Sequence, residues 1–203
     1  MLTDPPHLSA IVLAGGLSSR MGQDKALIQV EGVPLLWRTC QIALHCTNHV
    51  YVVTPWVERY RVLVSPQVQF IAETPAPGEL NSQTPLKGFL QGFAHMQTDW
   101  VLLLACDLPH LRIEILQNWI EALNAAEATI ALPQNPEGWW EPLCGFYHRR
   151  CLPDLQHFID SGGRSFLRWL EQQPVQALPL SDPAMIFNCN TPADLENLQD
   201  SSR

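Results

Sequence analysis

The sequence predicts an α/β protein built on a parallel sheet covered by helices on both faces. Three observations carry this reading. Short apolar runs alternate along the chain with segments of helical spacing. The runs at Ala10, Val50 and Trp100 are apolar on both faces, as strands buried between two helix layers must be. Two of them end in residues suited to a ligand, Gly15-Gly16 and Asp107, and this fold class binds ligands beyond the carboxyl ends of its strands.

The elements follow in order. Ala10–Leu13 reads as a buried strand that stops at the glycine pair. Pro34–Cys46 reads as a helix, with Leu35, Leu36, Thr39, Ile42 and Ala43 near i, i+3, i+4 spacing. Val50–Val53 is a second strand and Gln69–Ile71 a short third. Glu73–Gln83, rich in Pro, Gly and polar residues, is a long irregular loop, either functional or a tolerated surface insertion. Thr84–Met96 is a helix entered through Pro85. Trp100–Cys106 is the strongest strand, since every residue in it is apolar and it ends at Asp107. Ile113–Ala126 is a helix, Thr129–Leu132 and Leu143–Tyr147 are strands, and Ser165–Gln172 is a helix. Met185–Asn188 is expected as a last strand before a terminal helix, Pro192–Leu198.

The 203 residues fit a single domain, 1–203, with no linker, repeat or low-complexity stretch dividing them. The net charge of −8 argues against sequence-independent nucleic-acid binding, which needs Lys and Arg on phosphates. An anionic substrate must then be held locally, by backbone N–H groups, a few cations or a metal. The six cysteines form no C-x-x-C pair and no zinc-site spacing. The amino terminus lacks the pattern of a secretory signal, and no apolar run approaches the roughly 20 residues of a membrane span. Reduced thiols in a cytoplasmic protein, off the membrane, are the expectation.

The segment from Leu13 to Lys25 reads LAGGLSSRMGQDK. Adjacent glycines after a buried strand let the backbone turn sharply and bring its N–H groups close to phosphate oxygens. Arg20 and Lys25 add positive charge, which offsets the charge developing on a leaving pyrophosphate. A Walker A loop is excluded, because Gln23 and not Lys follows Gly22. The dinucleotide fingerprint is excluded because Gly15 and Gly16 are adjacent.

This order of residues resembles the amino-terminal signature of the molybdenum cofactor guanylyltransferases, L-A-G-G-x-x-x-R-M-G-x-D-K, within the larger group of nucleotide-sugar-pyrophosphorylase-like nucleotidyltransferases. Later segments are similar too, in order and over almost the whole chain: Gly32-Val33-Pro34-Leu35, Thr84-Pro85-Leu86-Lys87-Gly88, Ala105-Cys106-Asp107-Leu108-Pro109 and Asn188-Cys189-Asn190-Thr191-Pro192. The resemblance implies a Rossmann-like three-layer α/β/α sandwich with a mostly parallel sheet, of the nucleotide-diphospho-sugar transferase type. It implies transfer of GMP from GTP to molybdopterin-bound molybdenum, with Mg²⁺ and release of pyrophosphate. It puts Leu13, Ala14, Gly15, Gly16 and Lys25 on the nucleotide and Asp107 on the metal. Glu73 stands where a family Asp contacts the nucleotide. Gly88, Asn188 and Asn190 become candidates for substrate contact. The cofactor-insertion protein upstream and the acceptor molybdoenzymes are the protein partners it suggests. The sequence departs from the pattern at Val53 and Thr54, where some members carry an Asn, and at Ala105, where Pro is usual.

Several residues keep two readings. Asp107 either holds Mg²⁺ or caps a following helix. Thr191 suits a helix N-cap, and alternate placement puts Asn188 and Asn190 on one side of the chain, where neutral amides can meet an anionic pterin phosphate or dithiolene. Trp139-Trp140 either stacks on a flat pterin or packs in a core or interface. Gly162–Ser165 is either an anion site or an ordinary cap. The histidines form no ligand set.

Catalysis in this reading rests on Lys25, Arg20 and Asp107. Within the class, a cytidylyltransferase on the same pterin is the alternative, though its loop usually opens T-A-A-G. A sugar-phosphate nucleotidyltransferase is a further option, but those chains are usually longer. Outside the class, the chain would be a catalytically silent nucleotide-binding partner in cofactor delivery, a reading that the presence of Lys25 and Asp107 opposes.

Overall fold

A computed structural model describes residues 7–15, 24–74, 84–191 and 193–194. In chain order the strands are β1 (Leu8–Leu13), β2 (Gln29–Val30), β3 (Val33–Pro34), β4 (Val50–Thr54), β5 (Gln69–Ala72), β6 (Trp100–Ala105), β7 (Ile130–Pro133), β8 (Cys144–His148) and β9 (Val175–Leu178). The helices are α1 (Leu35–Cys46), α2 (Val57–Arg61), α3 (Pro85–Phe93), α4 (Ile113–Ala122), α5 (Leu152–Asp160) and α6 (Phe166–Leu170).

Seven strands form one sheet in the order β5-β4-β1-β6-β8-β7-β9, and β2 and β3 form a separate hairpin. Every pair in the large sheet is parallel except those of β8, which runs against both β6 and β7. From β1 the chain moves outward through β4 to β5, then returns to lay β6 on the other side of β1. The strand order therefore reverses between β1 and β6, and a crevice opens beyond their carboxyl ends. Gly15 and Asp107, just past those two ends, share that crevice.

The two faces of each central strand feed two cores. Ala10 and Val12 of β1 and Leu102 and Leu104 of β6 pack with Leu36 and Cys40 of α1 and Leu116 and Trp119 of α4. Ile11, Val101 and Leu103 face the other way, onto Leu86, Phe89 and Phe93 of α3, Leu155 of α5 and Trp169 of α6. This is the helix–sheet–helix layering that the uninterrupted apolar runs predict. On β6 no residue is exposed.

The main departure from expectation is at the carboxyl end. Met185–Asn188 is not a strand: Pro183–Ile186 is a 3₁₀ turn, and residues 187–190 follow without regular structure. Asp182 accepts a hydrogen bond from the Ala184 N–H and starts the turn, and Pro183 lacks the N–H that a sheet ladder would use. The outer sheet position is filled instead by β9, which the reading of the sequence passed over together with α2 and α5. The helix expected at Ile113–Ala126 ends as a 3₁₀ turn over Leu123–Ala125. Of the expected terminal helix Pro192–Leu198, Ala193 and Asp194 are helical, while Pro192 and 195–198 lie outside the described residues.

Candidate active site

A cavity of about 250 Å³ opens at the β1/β6 switch point. Leu13, Ala14 and Gly15 border it from the end of β1, Asp107 from the end of β6, Lys25 from the 3₁₀ turn Lys25–Leu27, Glu73 from the end of β5 and Gly88 from α3. These candidates lie up to 94 positions apart in the sequence (Leu13 to Asp107), and parallel strand pairing brings them together.

Lys25 is the hub. Its Nζ donates to Asp107 Oδ2 at 2.8 Å and also to Asn190 Oδ1. The ammonium and the carboxylate keep only 20% and 15% of their side-chain surfaces exposed, so this pair is much less screened than a surface salt bridge. Asp107 caps no helix. The next helix, α4, begins six residues later with Arg112 at its N-cap position. The capping alternative for Asp107 therefore falls, and its Oδ1 makes no hydrogen bond among the described residues.

Three residues that sequence reasoning missed hold this hub in place. Asp24 accepts the Ala26 N–H through Oδ1 at 3.0 Å and so initiates the turn that carries Lys25. Its Oδ2 takes the Tyr60 hydroxyl at 2.7 Å and Arg59 Nη1 at 3.0 Å. Tyr60 is fully buried, and its proton is held more tightly than in water, first because of burial and then because of the Asp24 carboxylate. Thr54, also fully buried, donates its hydroxyl to the Ala14 carbonyl at 2.8 Å and accepts the Trp56 N–H at 3.1 Å. It ties the end of β4 to the start of the glycine loop. The signal for Asp24 was its place beside Lys25, that for Thr54 only its place, with Val53, where some members of the resembled family carry an Asn, and for Tyr60 there was none.

Glu73 lies against the backbone of two glycines. A Cβ on Gly15 would collide with Glu73 Oε2, and one on Gly88 would come within 3.1 Å of Oε1. Glycine at both positions is therefore a matter of space for this carboxylate. Glu73 is only 8% exposed, and burial pushes its carboxyl above the usual range. Its side chain makes no hydrogen bond or ion pair among the described residues. A carboxylate kept in that state is short of N–H donors, and the cavity is where they would come from.

A second cavity, of about 620 Å³, is bordered by Asn188 and Asn190, so alternate placement does put both amides on one side. Its lining comes from the β7–β8 connection, with Asn135 and Glu141, from His110, and from residues of the 183–191 segment and Asp194, including Phe187. Asn190 belongs to its lining and also binds Lys25, which lines the first cavity. The two cavities are thus neighbours linked through Lys25, which pairs with Asp107 in the first and donates to Asn190 of the second. Thr191 is a cap as expected: its hydroxyl accepts the Asp194 N–H at 3.2 Å, and Asp194 Oδ2 accepts the N–H groups of Asn190 and Thr191. Those bonds hold the Asp194 carboxyl below its ordinary value.

Gly16 and Arg20 lie outside the described residues. Trp139 is 62% exposed and Trp140 packs on the core layer of α3 and α5, and neither borders the two cavities. Ser165 caps α6, and Arg164 lines a separate concavity. Among the described residues no group of three or more His, Cys, Asp or Glu side chains is placed to hold a metal. A metal here would take Asp107 as a protein carboxylate and complete its shell mainly from phosphates and water. That is a donor set suited to Mg²⁺, and the free Asp107 Oδ1 fits it. All six cysteines are free thiols, and among the described residues no helix is long and apolar enough to cross a membrane.

Comparison with known proteins places the chain in a family. The family model described as "MobA-like NTP transferase domain" matches residues 10–175. A probable molybdenum cofactor guanylyltransferase of Trichormus variabilis is 57% identical over 195 residues, 95% of this chain and 91% of that one. The molybdenum cofactor guanylyltransferase of Vibrio cholerae is 31% identical over 193 residues, 94% of this chain and 91% of that one. Among solved structures, the molybdopterin-guanine dinucleotide biosynthesis protein A of Archaeoglobus fulgidus superposes with a TM-score of 0.74 at 22% identity, over 96% of this chain and 98% of that one. A shared fold, relatives up to 57% identical over 95% of the chain and a family match over residues 10–175 agree: the chain belongs to the MobA-like NTP transferases.

Proposed function

We propose that the chain transfers the GMP moiety of GTP to molybdopterin-bound molybdenum and releases pyrophosphate. The observation that carries this reading is the linking of two neighbouring cavities through Lys25, with Asp107 in one and Asn190 in the other. A group transfer needs a donor and an acceptor on opposite sides of one reacting atom. The names of the relatives supply the chemistry on either side.

The first cavity suits the nucleotide. The Ala14–Gly15 backbone ends a parallel strand at the crevice, where phosphates approach N–H groups closely. Glu73 suits guanine, whose N1–H and 2-amino group present two donors on one edge. Cytosine and adenine present no such pair. The GMP α-phosphorus then lies near Lys25, with the acceptor beyond Asn190.

The chemistry is an in-line displacement. An anionic phosphate oxygen of the acceptor forms a bond to the α-phosphorus while the bond to the bridging β-phosphate oxygen breaks. The electron pair leaves with pyrophosphate. The nucleophile is already ionised, so positioning and charge count for more than a general base. Lys25 offsets the charge that develops on the phosphates and is held for the task by the Asp24 turn. Asp107 would hold Mg²⁺, which when bound screens the phosphate oxygens. Arg20, beside the same loop in sequence, would add charge to the triphosphate. Asn188 and Asn190 offer the acceptor neutral amides that do not repel its phosphate.

We place this reaction in the cytoplasm, which suits six free thiols. The expected protein partners are those that receive or insert the finished cofactor. Label transfer from each of the four ribonucleoside triphosphates to molybdopterin, with Mg²⁺, tests the proposal. GTP should be consumed far faster than CTP or ATP. Equal or faster use of CTP would overturn the base assignment. Nucleotide binding without transfer from any triphosphate would favour the silent binding partner.

A further inference from the structure

The wall of the second cavity carries a carboxylate prepared for a ligand. Glu141 is fixed at both ends of its backbone: its N–H donates to the Pro133 carbonyl at 3.1 Å and its carbonyl accepts the Cys144 N–H at 3.2 Å. Its side chain is aimed by Asn135, whose Nδ2 donates to Glu141 Oε1 at 3.1 Å. Asn135 has little freedom to do otherwise. Its own Oδ1 accepts the Glu137 and Trp139 N–H groups at 3.1 and 2.9 Å, so its amide nitrogen must point the other way, at Glu141.

The other carboxylate oxygen, Oε2, makes no hydrogen bond, and no cation pairs with Glu141, among the described residues. Burial pushes this carboxyl up, with the Asn135 bond acting in the opposite sense. A half-desolvated acid with one oxygen held and one vacant gains from any ligand that brings N–H donors. The same cavity is lined by Phe187, 40% exposed, a flat apolar surface beside His110.

We propose that Glu141 is a specificity-determining residue for the acceptor, accepting the paired N–H donors of the 2-amino-4-oxopyrimidine edge of a pterin, with Asn135 as its positioning residue. This rests on the proposed transfer to a pterin. It adds a chemical symmetry: guanine and a pterin share that same edge, and each of the two cavities holds a carboxylate short of donors, the buried Glu73 and the half-buried Glu141.

The test compares binding of 6-hydroxymethylpterin with that of its 2-oxo counterpart, 6-hydroxymethyl-lumazine, to the full chain by fluorescence or calorimetry. The wild-type protein should prefer the pterin by on the order of 10-fold or more, the range of a charge-assisted pair of hydrogen bonds. Glu141→Gln should abolish most of that preference and raise the KM for molybdopterin on the order of 10- to 100-fold, with the KM for GTP unchanged. Glu141→Asp should keep part of the preference. Glu137→Gln, on the same loop outside the cavity lining, should behave as wild type. Equal binding of the two probes by the wild-type protein, or an unaltered preference in Glu141→Gln, would overturn the assignment. Failure of the proposed activity shows up separately, as a wild-type protein that discriminates between the probes yet transfers no GMP.

Discussion

Lys25 illustrates how a residue's role passes from spelling to structure. Its place after Gly22-Gln23-Asp24 marks it as a phosphate cation, and the structure adds the partners that aim it: Asp24 beneath, Asp107 and Asn190 ahead. Asp107→Asn tests the other half of the pair. Asn at this position can still accept from Lys25, but it removes the charge that would hold Mg²⁺ and that now pairs with Lys25, so the folded variant should also lose some stability. Turnover should fall on the order of 100-fold or more, and the Mg²⁺ needed for half-maximal rate should rise. Near-normal rates at limiting Mg²⁺ would show that the metal is held elsewhere. Glu73 gives a prediction of different kind. Burial raises its carboxyl above that of an unfolded chain, so the folded protein takes up the proton more readily. The group costs nothing below the ordinary carboxylate range, and stability is lost as pH rises through its folded value. Glu73→Gln should therefore raise the melting temperature at pH 8 but not at pH 4, while weakening GTP binding. A variant less stable than wild type at pH 8 would mean that the carboxylate has a favourable partner.

At the scale of elements, strands buried on both faces were the easiest to read, because an unbroken apolar run such as 100–106 has few other uses in a chain of this composition. The short amphipathic pieces were harder. α2 has five residues, too few for helical spacing to repeat, and was passed over with the nine-residue α5, whereas α6 was read within Ser165–Gln172. β9 was missed because its burial is partial, as befits an edge strand: only Leu178 is buried. The 183–186 turn was misread because Met185 and Ile186 are buried and apolar like strand residues, yet their hydrogen bonds are local. Packing between elements is most sensitive where α3 crosses the sheet. A Cβ on Gly92 would come within 2.7 Å of Val53 Cγ2 and 3.1 Å of Ile11 Cδ1. Gly92→Ala should therefore destabilise the fold by about 1–3 kcal/mol despite its better helix propensity, measured by denaturant unfolding. A stabilised variant would show that α3 can lift from the sheet at no cost.

On the scale of the whole molecule, the sheet order decides function by placing β1 beside β6 and leaving two neighbouring cavities linked through Lys25. The sheet and its helices also seal the thiols. Burial pushes Cys40, Cys144 and Cys151 up to about 12 and Cys46 up to about 11. Thiol titration at pH 8 should accordingly find the native protein slow to react with an aromatic disulfide reagent, and all six cysteines reactive after unfolding. Fewer than six after unfolding without reductant would mean that disulfides form. The sequence by itself determined the layering, since apolar periodicity is a local property of the chain, and it placed Ala14, Gly15 and Asp107 at the ends of the strands that carry them. Tertiary structure alone decided what Thr54, Tyr60, Asn135 and Glu141 do. Their roles depend on partners and cavity walls that strand pairing and loop packing bring together, and no local pattern of residues encodes which of two carboxylates will be left buried and short of donors.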